Sequence, residues 1–273
     1  MIDIEKTNEE ISKKTARIEK EPDQFKMNIK KDYFEYFLKS VLALADEGIL
    51  NTNEDGIATQ IVDPANVCMA LVSLKNGGIE EYSFKESKIA LPFGRISKLL
   101  DGAKKDDGIL IEYLPAKNKM RIAFENIRYD TALLSLDAIR KDPKIPEIKL
   151  PIKVTLNSNN FRHVITSAKK INDKITFKAN IDGIIIESTG ISSDMSFRMD
   201  KEDMIDFDIS SDAKEVKSSF SLDYLENISK VMTKSDNTSI WFGINHPCRI
   251  MGTFANGYGT VEYLLAPIIE DGY

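Results

Sequence analysis

The residues of this 273-residue chain most able to act as nucleophile, base or metal ligand are His163, His246, Cys68 and Cys248. Neither histidine has a serine, cysteine or carboxylate at a spacing that would build a triad or a metal cage. His163 reads as a residue on a helix surface, and the two cysteines as small hydrophobes in strands. Asn256-Gly257-Tyr258-Gly259 lacks the strand-then-helix setting of a dinucleotide loop and reads as a hairpin turn. No glycine-rich loop ending in Gly-Lys-Ser/Thr occurs. No catalytic residue, metal or cofactor is therefore assigned. What remains is lysine and arginine, whose chemistry is the neutralisation of phosphate.

By total charge a nucleic-acid partner is disfavoured: 37 basic residues face 43 acidic ones, for a net charge of -6. The distribution reverses this. Apolar residues at helical spacing predict helices over 30–45, 92–105, 158–171 and 221–234. These hold twelve cations: Lys30, Lys31, Lys39, Arg95, Lys98, Lys104, Lys105, Arg162, Lys169, Lys170, Lys230 and Lys234. Their acids are five, Asp32, Glu35, Asp101, Asp223 and Glu226, so the helices are net +7 and the remainder -13. Helices sharing one face would make a positive surface on an acidic body, suited to phosphate contact without base reading. The competing explanation is that Lys and Arg are simply good helix formers. Glu35 and Leu42, on the presumed exposed side of the first helix, count against the functional reading.

Those helices belong to a repeated order of elements. Strands are predicted over 49–52, 56–62, 67–74, 89–91, 108–114, 119–124 and 127–134, and again over 152–156, 183–188, 195–199, 204–209, 239–244, 248–254 and 260–265. Phe34 and Gly56 are spaced as Phe161 and Gly183 are, and each glycine sits in an Asp-Gly-Ile triplet. Ile-Ser-Lys recurs at Ile96 and Ile228, and Arg-Ile at Arg121 and Arg249. This is an internal duplication. Between the copies lies IRKDPKIPEIKLP (139–151), where Pro143, Pro146 and Pro151 exclude helix and central strand. It reads as an extended connector with Ile145, Ile148 and Leu150 available to another surface, or else packed on its own domain. Residues 1–24, with isolated Ile4, Ile11 and Ile18, read as an extension outside the fold. No apolar run approaches the roughly 18 residues of a membrane span, and no signal-type apolar core is present, so a cytoplasmic protein is expected.

Four stretches carry a family likeness: DGIATQIVDPANVCMALVSL (55–74), YDTALLSLDAIRKDPKIPEIKLP (129–151), SFSLDYLENISKV (219–231) and LLAPIIED (264–271). They resemble the sliding clamps of archaea and eukaryotes, the proliferating cell nuclear antigen (PCNA) family, and RKDPKIP is most similar to archaeal members. The resemblance implies an α+β fold of two duplicated clamp-type domains, each with helices on one face of antiparallel sheets, assembling head to tail into a ring of three. It divides the chain into an extension (1–24), clamp domain 1 (25–136), an interdomain connecting loop (137–151) and clamp domain 2 with its C-terminal tail (152–273). The implied function is that of a DNA sliding clamp and polymerase processivity factor, without catalysis or cofactor. Its partners would be double-stranded DNA, further copies of itself, DNA polymerase, a clamp loader, and replication or repair proteins carrying a short hydrophobic and aromatic motif. A nuclear location would replace a cytoplasmic one in a eukaryote.

Carried onto this chain, the DNA-facing residues are Lys39, Arg95, Lys98, Lys104, Lys105, Arg162, Lys169, Lys170 and Lys230. Leu42, Asp101 and His163 depart from positions that are commonly basic in the family. The implied partner groove takes Val62, Asp63, Asn66, Val67 and Met69, then Ile145, Pro146 and Leu150, then His246, Pro247, Ala266, Pro267 and Ile269. Subunit contact would pair the strand of Tyr129, Thr131 and Leu133 with a neighbour's strand of Met195, Phe197 and Met199. A subunit of a heteromeric ring, or a monomeric polymerase accessory factor, is the alternative.

Overall fold

The computed structural model describes residues 24–140, 144–210 and 215–269. The expected N-terminal extension (all but Gln24), Pro143 of the connector and the last two residues of the LLAPIIED stretch lie outside them. The first half runs β1 (Lys26–Lys30), α1 (Lys31–Leu42), β2 (Gly48–Asn53), β3 (Gly56–Val62), β4 (Cys68–Lys75), β5 (Glu81–Ser83), β6 (Ser87–Leu91), α2 (Phe93–Leu99), β7 (Gly108–Leu114), β8 (Lys119–Phe124) and β9 (Ile127–Ala132). The second repeats that order as β10 (Ile152–Asn157), α3 (Ser158–Lys169), β11 (Lys174–Asn180), β12 (Gly183–Thr189), β13 (Asp194–Asp200), β14 (Asp206–Ile209), β15 (Glu215–Ser221), α4 (Leu222–Met232), β16 (Asn237–Phe242), β17 (Cys248–Phe254) and β18 (Gly259–Leu265).

The helices form because their apolar residues recur on one stripe. Phe34, Phe37, Leu38 and Val41 are buried on α1, and Phe161, Val164, Ile165 and Ala168 repeat that spacing on α3. Strands such as β4 bury alternate residues, as a sheet with one covered face requires. Three antiparallel sheets result, ordered β5-β1-β7-β8-β9, β14-β10-β16-β17-β18-β4-β3-β2-β6, and β13-β12-β11-β15. The nine-stranded sheet crosses from one half to the other where β18 pairs with β4. The helices form one layer against the sheets, in the packing order α2, α1, α4, α3. At its centre Tyr36 of α1 stacks on Phe254 at 4.5 Å, and its hydroxyl lies 3.0 Å from that of Ser235.

The repeated Asp-Gly-Ile has a steric cause. Gly56 and Gly183 open β3 and β12 after two-residue turns, with φ of 135° and 153°. A Cβ there would stand 2.1 Å from the Leu74 carbonyl oxygen and 2.3 Å from that of Met199. Three expectations need correction. β5, β11 and β15 were absent from the predicted strands: β5 is only three residues long and β15 is interrupted by serines, whereas β11 alternates apolar and polar residues and was passed over. Helix α2 ends at Leu99, so Lys104 and Lys105 stand in the following turns, although Leu100 and Ala103 keep the apolar spacing and remain buried. The helices as formed carry seven cations and four acids, net +3 in place of +7.

Replacing Gly56 or Gly183 with alanine is expected to cost roughly 2–4 kcal/mol, since backbone strain and a main-chain clash coincide. Denaturant melts of either variant against the parent check this.

Candidate functional site

On the open side of the helix layer most cations are already engaged. Lys39 lies 2.5 Å from Glu35, Lys230 is 3.1 Å from Glu226, and Lys169 sits 2.5 Å from both Asp173 and Asp223. Hydrogen bonds to Asp173 and Asp223 push the Lys169 ammonium well above its ordinary pKa. Beyond α2, Lys104 pairs with Glu125 and Lys105 with Asp32. Arg95, Lys98, Lys170 and Lys234 are exposed, with no acidic partner among the described residues. Arg162 differs from the rest. Its Nη1 donates to the Glu226 carbonyl and to Ser229 Oγ, both at 2.9 Å, and it is three-quarters buried between α3 and α4. Much of its guanidinium is therefore spent on packing α3 against α4. Asp101 and His163 are exposed, while Leu42 is half-buried.

A second set of residues meets on the outer side of the join between halves. Val62 stands opposite Met69, and Met69 opposite Leu264, in one row across β3, β4 and β18. The loop between β3 and β4 is built on Asp63. One carboxylate oxygen accepts from the amides of Val67 and Cys68 at 2.7 Å, the other from Ala65 at 2.9 Å and the Tyr224 hydroxyl at 2.7 Å. Burial alone would raise the Asp63 carboxyl, but those donors outweigh it and hold it below the usual value. Asp63 is only 4% exposed, so it shapes the groove and does not face a partner, a correction to the expected set. Asn66 is exposed in the left-handed region at φ 61°, and Val67 is half-buried. Arg140 donates to Asn66 Oδ1 and to the Asp63 carbonyl, fastening the start of the connector to this loop.

The connector then runs extended, with Ile145 and Pro146 exposed and Leu150 half-buried. Leu150 and Pro151 pass so close to Gly243 that a Cβ there would stand 2.9 Å from the proline ring. The loop holding exposed His246 and half-buried Pro247 follows Gly243 directly. After β18 the Ala266 amide donates to the Val67 carbonyl at 2.9 Å, and Ile268 pairs with Ser219. Ala266 and Pro267 are half-buried, and Ile269 is 65% exposed. Between the end of β3 and the start of the connector lies a cavity of about 200 Å³, walled by Ile61, Val62, Pro64, Ile139 and Arg140.

Comparison with known proteins gives this geometry a family. Residues 28–142 match the family model "Proliferating cell nuclear antigen, N-terminal domain". The DNA polymerase sliding clamp of Archaeoglobus fulgidus is 33% identical over 234 residues, spanning 85% of this chain and 93% of that protein. The chain belongs to the DNA polymerase sliding clamp family. The sliding clamp of Methanosarcina mazei is likewise 33% identical, over 90% of this chain and 99% of its own length. Among solved structures, the A. fulgidus clamp described as bound to the C-terminal region of FEN-1 superposes with a TM-score of 0.84 at 30% identity, covering 91% of this chain and all of that one. The Thermococcus kodakaraensis clamp, at 23% identity and a TM-score of 0.82, shares the fold.

In this clamp sequence the three sheets end on β5 and β9, on β14 and β6, and on β13 and β15, and two of these edges bear on assembly. β9 ends the five-stranded sheet and β13 the four-stranded one. On β9 Tyr129 is exposed and Thr131 buried, with Leu133 half-buried just beyond; Met195, Phe197 and Met199 of β13 are half-buried. Strand registers relate these edges to the internal join. Ile111, Ile122 and Tyr129 lie in one row as Ile240, Ile250 and Tyr263 do, so Tyr129 is the counterpart of Tyr263. Counting from the paired glycines, Lys75 corresponds to Asp200 and Ala70 to Met195.

Sequence reasoning passed over Arg140, Tyr224 and Ile244. Ile244, 56% exposed beside His246, carried the signal that marked Ile145: an apolar residue among turn formers. Tyr224 carried none, because its partner is 161 positions away. Asp63→Ala should lower stability by roughly 2–3 kcal/mol at pH 7 by stranding buried amide donors. A depressed folded-state pKa means that this contribution is complete above the unfolded carboxyl value of about 4 and fades as pH falls through the lower folded value. Denaturant titrations at pH 7 and pH 3 should therefore show a smaller gap between variant and parent at pH 3.

Proposed function

We propose that the chain acts as a DNA sliding clamp, closing head to tail into a ring of three that encircles duplex DNA and tethers replication and repair proteins. It is a tether and not an enzyme, with clamp domains at 25–136 and 152–273 and a connector between them. The observation that carries this reading is the internal join. β18 pairs with β4 inside the chain, and their counterparts β9 and β13 are left as free edges of matching apolar pattern. A second copy would cover them by the same pairing, removing edges that otherwise invite uncontrolled association. By that register Tyr129 falls opposite Met195 of the neighbour, and Ile127 opposite Phe197.

The helix layer would then face the duplex. Arg95, Lys98 and Lys170 offer charge without an acidic competitor among the described residues, the exposed Lys39 and Lys230 can leave their single glutamates, and Lys169, held by two aspartates, is the least free of the set. Lys104 and Lys105 would add contacts at the rim. Behind the ring, Ile145, Pro146, Ile269 and the Val62–Met69–Leu264 floor suit a short helical turn with apolar and aromatic anchors, as a DNA polymerase, a clamp loader or a repair protein could supply. The related A. fulgidus clamp described with the FEN-1 C-terminal region supports such a partner.

Sedimentation of the purified chain should give near three times its 30.8 kDa mass. Oxidation of a Tyr129→Cys, Met195→Cys double variant should join subunits covalently, while Tyr129→Cys with Ser196→Cys should not, because a one-residue step turns the thiol to the other face. A monomer at all concentrations would end the ring reading. For the groove, Ile145→Asp with Ile269→Asp should abolish binding of an apolar, aromatic partner peptide while leaving the sedimenting mass unchanged.

A further inference from the structure

The centre of the helix layer is less positive than its lysines suggest, and two carboxylates are the reason. Glu35 on α1 lies 2.6 Å from Lys31 and 2.5 Å from Lys39. Glu226 on α4 lies 3.1 Å from Lys230 and 3.9 Å from Arg162. Helices α1 and α4 are neighbours, and between them runs a groove of about 400 Å³ lined by Tyr36, Lys39, Leu42, Asn227, Lys230 and Lys234. Lys39 and Lys230 thus stand on facing walls of one groove. Each is four residues after its glutamate, the favourable order for such a pair on a helix.

We infer that Glu35 and Glu226 restrain the grip of the clamp on DNA, so that Lys39 and Lys230 reach a backbone phosphate only by leaving a carboxylate. The inference rests on the DNA-encircling reading above. Both lysines are about half exposed and both glutamates about a quarter to a third, so the ion pairs are weak enough to exchange. A phosphate bound to Lys39 or Lys230 would lie within a Debye length, about 8–10 Å, of the carboxylate paired with that lysine. Partial burial would raise the Glu35 carboxyl, but hydrogen bonds and charge from Lys31 and Lys39 outweigh it, so Glu35 stays ionised at neutral pH. Helix α2 is the contrast. Arg95 and Lys98 have no acid to leave among the described residues, so they form the constant part of the contact and the α1–α4 groove the conditional part.

The test is binding of the intact protein to a short DNA duplex, followed by fluorescence anisotropy from 20 to 200 mM salt. The Glu35→Gln, Glu226→Gln double variant keeps side-chain shape and helix propensity, and its melting temperature should stay close to the parent's. It should bind about tenfold more tightly at 50 mM salt, and its plot of log affinity against log salt should steepen by about 1–2, since each added phosphate contact contributes roughly 0.9. Adding Lys39→Ala and Lys230→Ala should erase that gain, which a purely structural role for the glutamates would not produce. An unchanged slope and affinity in the double variant, with Lys98→Ala still weakening binding, would overturn the inference and leave the DNA reading standing. Absence of DNA binding by the parent, with Lys98→Ala without effect, would overturn both.

Discussion

The antiparallel pairing of β18 with β4 is the contact on which the rest of the molecule depends. Seven residue pairs run from Gly259 against Leu74 to Leu265 against Cys68. Val261, Tyr263 and Leu265 meet Val72, Ala70 and Cys68 on the covered face, and all six are buried. Fully burying a side chain the size of Val72, Val261 or Leu265 contributes about 1.5–3 kcal/mol, so this row binds the two halves together. The Tyr263 hydroxyl completes the join by donating to the Ser40 carbonyl on α1 at 2.7 Å. Cys68 and Cys248 both flank Leu265 from opposite sides, so a strand separates them; burial pushes both thiols far up in pKa. They serve as core hydrophobes.

Because the fold is a duplication, this join implies a second one that a single chain cannot make. β9 repeats β18 and β13 repeats β4, yet Ile127 and Tyr129 stay exposed where Val261 and Tyr263 are covered. The same chemistry is therefore satisfied once inside the chain and left open once at its two ends. Such an arrangement would support the directional, head-to-tail contact proposed for this chain.

The outer side of the join is held by polar contacts between residues far apart in sequence. Asp63 binds its own loop and reaches α4 through Tyr224, and Arg140 ties the connector to the same loop. These bonds hold half-buried Val62 and Met69 beside buried Leu264, so a partner filling the proposed groove would meet a floor already ordered. On the helix side, carboxylates sit beside the lysines and lower the positive field there.

What the amino-acid order determined by itself was the periodic and the local. Helices α1 and α3 follow from Phe34, Phe37, Leu38, Val41 and their repeats, and the paired glycines from turns that no Cβ can enter. The described part of the connector, 144–150, forms no helix or strand, as Pro146 and Pro151 lead one to expect. Strand β15 was illegible, since its serines hide the alternation, and Ser218 and Ser219 are buried all the same; β11 alternates Ile175, Phe177 and Ala179 with polar residues and was legible though passed over. The proposed DNA-facing set was legible only as a list of cations. Which of them are free was decided by tertiary structure, because Lys169 meets Asp223 across 54 positions and Arg162 spends its guanidinium on a neighbouring helix. Charge is a property of composition, but the field at a surface depends on how close the opposite charges are brought, and only the folded chain sets those distances.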